Sequence, residues 1–249
     1  MYKMKITAAC RVGCVRSNNE DMVLVHNQLL RSDAYQTELF PQSISRFAIA
    51  VADGMGGHNA GEVASEMVLS NLKFYMTDVP KGLQPEEYCQ KMNDWLHSIN
   101  HTVNSRGYAD ASKRDMGTTL VGILQYEGQY YFVNCGDSRL YRFRNGQLQQ
   151  LSTDHSLNNA KGINRHSNII TNCIGAGAKN AYMDMVNITE DIQKDDTFLL
   201  CSDGLNDMMT DEEIATLLRE GATANRLCEE AIDNGGFDNV SAVVIRVES

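Results

Sequence analysis

The chain has 249 residues, of which 43% are hydrophobic and 22% are charged, an ordinary composition for a globular protein with a substantial core. Its formal net charge of −10 argues against nucleic acid or an anionic membrane as the main partner. No run approaches the roughly 18 apolar residues of a membrane span, and the first residues lack the apolar core of a signal peptide, so we expect a soluble, cytoplasmic protein without a membrane partner.

The first half of the chain predicts strands followed by two helices. Residues 4–15, 22–26 and 47–52 are predicted strands, and residues 28–45 are expected to be loop. A helix is predicted over residues 60–76 from the helical spacing of Val63, Met67, Ser70 and Phe74. The second helix begins near Pro85 and stops at Gly107. Its apolar stripe consists of Tyr88, Met92, Trp95, Leu96, Ile99 and Val103.

The second half predicts a run of strands and a second pair of helices. The predicted strands are residues 117–125, 129–134, 139–144, 147–151, 182–189, 197–201 and 240–247. Glu127-Gly128 and Asn145-Gly146 are hairpin turns. Thr210 opens a helix that reaches about residue 219, and residues 223–234 form another. Residues 152–181 are polar and irregular apart from residues 168–174. These elements indicate an α+β sandwich in one domain.

Seven cysteines without a C-x-x-C pair do not have the pattern of a disulfide framework. Cys135, Cys173 and Cys201 lie in or beside apolar runs, which is typical of small core residues.

Five aspartates stand at the ends of predicted strands, namely Asp21, Asp53, Asp137, Asp203 and Asp238. Strands of one sheet system can bring such ends together. Clustered carboxylates repel one another unless a cation compensates them. Because the ligand atoms would be oxygens, with no Cys or His at metal spacing beside them, the pattern favours Mg²⁺ or Mn²⁺ over Zn²⁺.

The corner at residues 53–57, Asp-Gly-Met-Gly-Gly, follows one of these strands. Glycine has no Cβ, so its backbone can approach a cation or a phosphate closely. Such a corner taken alone is usually only a turn. The recurrence of aspartate at other strand ends is what makes it informative.

Short motifs extend this pattern over nearly the whole chain. They are Val-Arg-Ser-Asn-Asn-Glu-Asp (15–21), Asp-Gly-Met-Gly-Gly (53–57) with Ala-Gly-Glu (60–62), Met-Gly-Thr-Thr (116–119), Gly-Asp-Ser-Arg (136–139), Thr-Asp-His-Ser (153–156), Ser-Asp-Gly-Leu (202–205) and Asp-Asn (238–239). In this order they resemble the metal-dependent type 2C protein serine/threonine phosphatases in their short bacterial form. The resemblance implies a four-layer α-β-β-α sandwich of two mainly antiparallel sheets flanked by helix pairs. Residues 1–249 would then be a single phosphatase catalytic domain, with 152–181 a shortened flap segment.

The resemblance also implies the residues of a site that holds two Mn²⁺ or Mg²⁺ ions. The positions that match the family's metal ligands are Asp21, Asp53, Asp203, Asp238 and the carbonyl of Gly54. Asp137 and Asp207 match the positions of a weaker third metal, and Glu20 matches one that reaches the metals through water. Arg16 matches the arginine that binds the substrate phosphate, where its planar fork suits the phosphoryl oxygens.

The reaction implied is direct hydrolysis of phosphoserine and phosphothreonine in proteins. Two cations about 4 Å apart activate a bridging water, which attacks phosphorus in line without a phosphoenzyme. The expected partners are phosphorylated proteins, the substrates of a cognate Ser/Thr kinase. Some relatives carry a histidine after the Asp-Gly corner, and here that position is Met55. The general acid is therefore unassigned, with a metal-bound water as first candidate and His58 as second.

Two alternatives use the same residues differently. Cys10, Arg16 and Ser17 satisfy the C-x5-R-S pattern of cysteine-dependent phosphatases, which require a thiolate in a loop at a helix N-terminus. The pattern lies in a predicted strand with no helix after it, so this alternative is disfavoured. A pseudophosphatase that only binds phosphoproteins would typically lack a metal ligand, and all the matched carboxylates are present.

Overall fold

The structure is a computed structural model that describes residues 3–56, 60–162 and 169–248. Gly57, His58 and Asn168, which the sequence motifs and predicted elements include, lie outside the described residues. The strands in chain order are β1 (Lys3–Arg11), β2 (Met22–Val25), β3 (Gln28–Leu30), β4 (Ala34–Leu39), β5 (Arg46–Ala52), β6 (Gly54–Met55), β7 (Gly117–Thr118), β8 (Leu120–Tyr126), β9 (Gln129–Cys135), β10 (Arg139–Arg144), β11 (Gln147–Gln150), β12 (Ile174–Gly175), β13 (Asp184–Asn187), β14 (Thr197–Cys201) and β15 (Val240–Glu248). The α-helices are α1 (Gly61–Asp78), α2 (Pro85–Ala109), α3 (Leu157–Ala160), α4 (Asp203–Asn206), α5 (Asp211–Arg219) and α6 (Ala224–Asp233).

Two six-stranded sheets pack face to face in the middle of the molecule. The first has the strand order β11-β10-β14-β15-β1-β4, and the second has β13-β9-β8-β5-β2-β3. Their strands pair antiparallel throughout. Helices α1 and α2 pack on the outer face of the second sheet, and α5 and α6 pack on the outer face of the first. The predicted four-layer α-β-β-α sandwich is confirmed.

Three apolar layers hold the sandwich together. The inner faces of the two sheets enclose a layer that includes Ile6, Ile49 and Val243. The other two layers lie between each sheet and its helices. Tyr88 of α2 stacks on Tyr126 of the second sheet, with ring centroids 4.2 Å apart. None of the helices in the described part of the chain is long and apolar enough to span a bilayer.

The predicted buried face of α1 is wrong by about one position. Phe74 is 69% exposed, and Val63, Met67 and Ser70 are only partly buried. The face that packs on the second sheet is instead formed by Ala64, Ser65, Val68, Leu69, Leu72 and Met76. The strand beneath presents Ala48, Ala50 and Ala52. Because small side chains on both surfaces allow close approach, the larger apolar residues of α1 lie to its sides.

The α2 stripe is buried as predicted, and α5 begins after Thr210 as predicted. Thr210 and Glu213 form a capping box there, in which each side chain accepts from the other's backbone amide. Residues 28–45, expected to be loop, contain β3 and β4. The first strand ends at Arg11 instead of residue 15, because Gly13 turns the chain with a φ of 78°.

A third, smaller sheet of order β12-β7-β6 was not predicted, and it lies beside the predicted site. It pairs Gly54 with Thr118 and Met55 with Gly117. On the other edge of β7, Ile174 pairs with Thr118. A stretch of residues 152–181 is therefore attached to the same strands that carry the Asp-Gly corner.

Candidate metal and phosphate site

Strand pairing brings the predicted aspartates to one end of the sandwich. Met22 pairs with Ala52, so Asp21 and Asp53 extend from neighbouring strands at the same edge. In the first sheet Cys201 pairs with Ala242, which places Asp203 and Asp238 beyond that same pair. Asp137 follows β9, whose last residue pairs with Leu120. We call this end of the molecule the acidic cleft.

Asp21 lies at the bottom of the acidic cleft and is fully buried. The hydroxyl of Ser202 donates to Asp21 Oδ2 at 2.7 Å, whereas Oδ1 has no hydrogen-bond partner. Burial raises the pKa of Asp21 to about 7, and the charges of Asp203 and Asp238 act in the same direction, while the bond from Ser202 opposes them. A buried carboxylate oxygen without a partner is costly, so this atom is a candidate ligand.

Asp53 is held through its backbone. Its amide donates to Thr119 Oγ1 at 3.0 Å, and its carbonyl accepts from the Thr119 amide at 2.9 Å and from Thr118 Oγ1 at 2.8 Å. Loss of hydration raises the pKa of the Asp53 carboxyl well above its ordinary value, and the charges of Asp21 and Asp203 raise it further. The raised pKa values of Asp21 and Asp53 show that several acidic side chains lie close together at this end of the sandwich.

Asp137 is the second buried acid with an unpaired oxygen. It is 3% exposed, its Oδ2 has no hydrogen-bond partner, and burial together with the charge of Asp203 raises its pKa to about 7. Its loop is fixed by His155, whose backbone amide donates to the Gly136 carbonyl at 2.9 Å and whose Nδ1 accepts from the Gly136 amide at 3.1 Å. Asp207 lies close enough to contribute to the raised pKa of Asp137.

Gly54 is required by the close packing of three chain segments. A Cβ at this position would lie 2.3 Å from the carbonyl oxygen of Gly61 and 2.5 Å from that of Glu20. Glu20 is tied to the same corner, because its Oε1 accepts from the Gly61 amide at 3.3 Å and its carbonyl accepts from Ser65 Oγ at 2.6 Å. Burial raises the pKa of Glu20. The predicted ligand Gly54 and the predicted water-mediated residue Glu20 are therefore neighbours.

Arg16 stands at the rim of the acidic cleft with its side chain 54% exposed. Its Nη2 lies 2.6 Å from Asp238 Oδ2, and this bond raises the pKa of the guanidinium, as do the charges of Glu20 and Asp53. A guanidinium in this position adds positive charge to an otherwise acidic end. It can meet a phosphate that approaches the carboxylates from solvent.

The oxygen atoms of the acidic cleft fit a divalent-cation centre. Two buried oxygens, Asp21 Oδ1 and Asp137 Oδ2, have no partner, and the donor set is purely oxygen. Within residues 3–56, 60–162 and 169–248 no group of three or more His, Cys, Asp or Glu side chains is already arranged to hold a metal ion. Asp238 is paired with Arg16 at the rim, and the aspartates of the acidic cleft are the candidate ligands of such ions.

Several supporting residues were present in the motifs but had no predicted role. Ser202 binds Asp21, Thr119 fixes Asp53, and Asn239 joins the two ends of the chain. The Oδ1 of Asn239 accepts from the Glu20 amide at 2.8 Å, and its Nδ2 donates to the carbonyls of Val12 and Asn18 at 2.9 Å. Ser202 and Asn239 are direct neighbours of an aspartate in a motif, and Thr119 lies in the motif at residues 116–119. These positions are the signal that could have identified them.

Helix α4 was also missed, although it carries Asp203 in its first turn. A Cβ on Gly204 would lie 2.0 Å from the Asn239 carbonyl oxygen, so the Asp-Gly pair is needed for close contact with the Asp-Asn corner. The amide of Asp207 donates to the Asp203 carbonyl at 2.8 Å, which sets both acids on one turn of chain.

The cysteine-dependent alternative does not fit the structure. Cys10 lies within β1 and is fully buried, with its sulfur contacted by Asn19 Nδ2 and Ser241 Oγ at 3.1 Å each. Burial and the nearby charge of Asp21 raise the pKa of the Cys10 thiol to about 12, the opposite of what a nucleophilic thiolate requires.

Comparison with known proteins gives a consistent result. A model described as Protein phosphatase 2C matches residues 24–233. The serine/threonine protein phosphatase PstP of Mycobacterium tuberculosis is 32% identical over 245 residues, which cover 94% of this chain and 43% of that protein. The chain thus spans less than half of that relative's length. The serine/threonine phosphatase stp of Listeria monocytogenes is 31% identical over 79% of this chain and 83% of its own.

Solved structures agree with these matches. The Streptococcus agalactiae serine/threonine phosphatase has a TM-score of 0.80 at 28% identity and covers 98% of this chain and 100% of its own. The catalytic domain of PstP, solved in complex with two manganese ions, has a TM-score of 0.76 at 30% identity, with 100% of both chains covered.

Proposed function

We propose, since this chain belongs to the protein phosphatase 2C family, that it is a metal-dependent phosphatase that hydrolyses phosphoserine and phosphothreonine in proteins. The observation that carries the proposal is the gathering of Asp21, Asp53, Asp137 and Asp203 at one edge, two of them with buried oxygens that lack partners. The relative PstP, solved with two manganese ions, supports the same chemistry.

The ligand assignment follows the acidic cleft. Asp21, Asp53, Asp203, Asp238 and the carbonyl of Gly54 would hold two Mn²⁺ or Mg²⁺ ions. Asp137 and Asp207 would hold a weaker third ion, and Glu20 would act through water. When bound, the ions supply positive charge that activates water for in-line attack on phosphorus.

The chain's own residues position the reacting groups. Ser202 fixes the rotamer of Asp21, and Thr119 fixes the backbone of Asp53. Arg16 binds the phosphoryl oxygens from the solvent side and shares its guanidinium with Asp238. Met55 has no exchangeable proton, so it does not protonate the leaving group.

The partners of this activity are phosphorylated proteins, which a cognate Ser/Thr kinase would supply. The compartment is the cytoplasm, where thiols stay reduced. All seven cysteines are free, including Cys14, which is exposed.

A metal-dependence assay tests the proposal directly. Hydrolysis of a phosphothreonine peptide should require Mn²⁺ or Mg²⁺, stop in EDTA and survive thiol alkylation. Asp203→Asn should lower kcat by about 100-fold or more, because one ligand charge is lost. Arg16→Ala should mainly raise KM, which would distinguish substrate binding from metal binding.

Cys10→Ser serves as the control, since it removes the sulfur of the rejected alternative and should leave turnover within about threefold. Activity that persists in EDTA and disappears in Cys10→Ser would overturn the proposal. Absence of turnover with every divalent metal, in a protein that still binds the phosphopeptide, would assign the chain to the pseudophosphatases.

A further inference from the structure

A second charged pocket lies at the opposite end of the sandwich from the acidic cleft. Its volume is about 330 Å³, and we call it the rear pocket. The lining residues that matter here are His26, Ser45, Arg46, Lys73, Thr77 and Lys81. Strand β5 runs from Arg46 to Ala52, directly before Asp53. At about 3.3 Å per residue the two ends of this strand are roughly 20 Å apart.

The rear pocket is positively charged although the chain carries a net charge of −10. Arg46, Lys73 and Lys81 contribute cations, and none of the described residues that line it is acidic. Burial and the charge of Lys73, which lines the same pocket, both lower the pKa of His26. His26 Nε2 lies 3.0 Å from Asn27 Nδ2, so the ring is held in place.

The guanidinium of Arg46 is buried with its charge only partly compensated. Its side chain is 8% exposed, and Nη1 donates to the carbonyls of Thr77 and Val79 near the end of α1. Nε and Nη2 have no hydrogen-bond partner. The closest anionic group is Glu127, whose Oε1 lies 3.6 Å from Nη2 and whose Oε2 accepts from the Gly82 amide. The guanidinium carbon of Arg46 lies 5.7 Å from the ring centre of Tyr126.

A buried cation with unsatisfied donors is costly unless an anion or further hydrogen bonds compensate it. Here the partly compensated guanidinium shares the pocket lining with two lysines that are accessible from solvent, Lys73 half-buried and Lys81 exposed. An anion in the rear pocket would meet the two ammonium groups first and would lie in the field of the guanidinium. An anion in the pocket would therefore add to the partial compensation that Glu127 gives to Arg46.

We propose that the rear pocket binds a small phosphate-bearing anion. Ammonium and guanidinium groups together match the charge and geometry of a phosphoryl group. The volume of the rear pocket is at the lower end of the range for small-molecule sites, which is about 300 to 1,000 Å³. The pocket is concave, so it does not suit a flat membrane surface. This site is separate from the acidic cleft and does not depend on the proposed phosphatase activity.

Backbone NMR of the full chain in EDTA tests the proposal with two probes, inorganic phosphate and phenyl phosphate. EDTA removes divalent ions, so phosphate has no metal to bind at the acidic cleft. Either probe should shift the amide signals of Ser45, Lys73 and Thr77 along a saturable curve, whereas the amide of Asp53 should not move. Equal affinity for both probes would identify free phosphate as sufficient, and tighter binding of phenyl phosphate would identify an organic phosphate. Both results support the site.

The variants Lys73→Glu and Lys81→Glu should each weaken binding by about tenfold or more, since each reverses a charge at the pocket. Lys91→Glu is the matched control, because Lys91 is an exposed lysine of α2 that pairs with Asp94 and does not line the rear pocket. This variant should bind both probes with the affinity of the wild type. Hydrolysis of p-nitrophenyl phosphate with Mn²⁺ should be unchanged in all three. Non-saturable shifts, or Lys81→Glu binding like the wild type, would overturn the proposal even if Lys73→Glu failed to fold.

Discussion

Ser202→Ala isolates the hydrogen bond that orients the deepest carboxylate of the acidic cleft. Ser202 is fully buried, donates to Asp21 Oδ2 at 2.7 Å and accepts from the Ser241 amide at 3.0 Å. A hydrogen bond to a charged group contributes about 1.5–3 kcal/mol, and a neutral one about 0.5–1.5 kcal/mol. Because the substitution leaves both partners buried and unsatisfied, we expect the free energy of unfolding to fall by about 2–4 kcal/mol.

The loss should be measured by urea unfolding in EDTA at pH 8, where no metal contributes. Ser98→Ala is the matched control, since Ser98 is exposed on α2, and its free energy of unfolding should change by about 0.5 kcal/mol or less. A second readout separates positioning from stability. In variant protein that is fully folded, titration with Mn²⁺ should show about 10- to 100-fold weaker binding, because Asp21 has lost the group that fixes its rotamer.

An unfolding midpoint and a Mn²⁺ affinity both equal to those of the wild type would refute this reasoning. A stability loss with unchanged Mn²⁺ affinity would mean that Ser202 supports the fold but does not position Asp21 for a metal. The two measurements together thus test the ligand role of Asp21 without any assay of turnover.

Two further predictions concern stability. In EDTA the free energy of unfolding should fall as the pH rises from about 4 to about 8, because Asp21 and Asp137, with pKa values of about 7 in the folded state, hold protons that the unfolded chain releases near pH 4. Saturating Mn²⁺ should flatten this pH dependence. Urea unfolding measured across the pH range in EDTA would contradict the prediction if the free energy of unfolding did not change with pH. Leu72→Ala should cost about 2–5 kcal/mol of unfolding free energy and Phe74→Ala about 0.5 kcal/mol or less. If urea unfolding showed a larger loss for Phe74→Ala than for Leu72→Ala, the buried face of α1 would be the one predicted from sequence.

The layers of the fold could be predicted because their elements are locally marked. Asn145-Gly146 turns with φ of 52° and 79°, the conformation that a two-residue hairpin requires. The capping box at Thr210 begins α5 where the sequence places it. The apolar stripe of α2 has one wide face, so it leaves no choice of orientation. In each case the signal lies within a few residues and tertiary packing only reinforces it.

The features that could not be predicted depend on distant partners. Helix α1 has apolar residues on more than one side, and the alanines of β5 decide which side packs inward. Strand β4 reads as polar because its alternate residues face solvent, and it pairs with β1. The small β12-β7-β6 sheet pairs Gly54 with Thr118 and Thr118 with Ile174, which are distant in sequence. Each pairing involves only two residues per strand, which is too short for any periodicity.

The candidate site was predictable in its acids but not in its supports, and the reason is chemical. A single aspartate at a strand end is an ordinary turn residue, but its recurrence at five predicted strand ends is visible in the sequence. Ser202, Thr119 and Asn239 are ordinary turn residues whose function appears only when their partners across the fold are known. The order of the motifs along the chain identified the aspartate-bearing turns, whereas the spacing of residues did not show which side chains contact them.

The two ends of β5 show how the fold stores electrostatic free energy. Asp53 at one end has its pKa raised by burial and then by neighbouring acids, and Arg46 at the other end is a buried cation with two donor nitrogens that lack hydrogen-bond partners. Neither arrangement is the most stable choice for a sheet of this length, because burying ionisable groups and donors without partners opposes folding. Positions that break a local stability rule without local compensation are where ligands act. If cations fill the acidic cleft and a phosphate-bearing anion fills the rear pocket, each ligand raises the free energy of unfolding by an amount that grows with its concentration relative to its Kd.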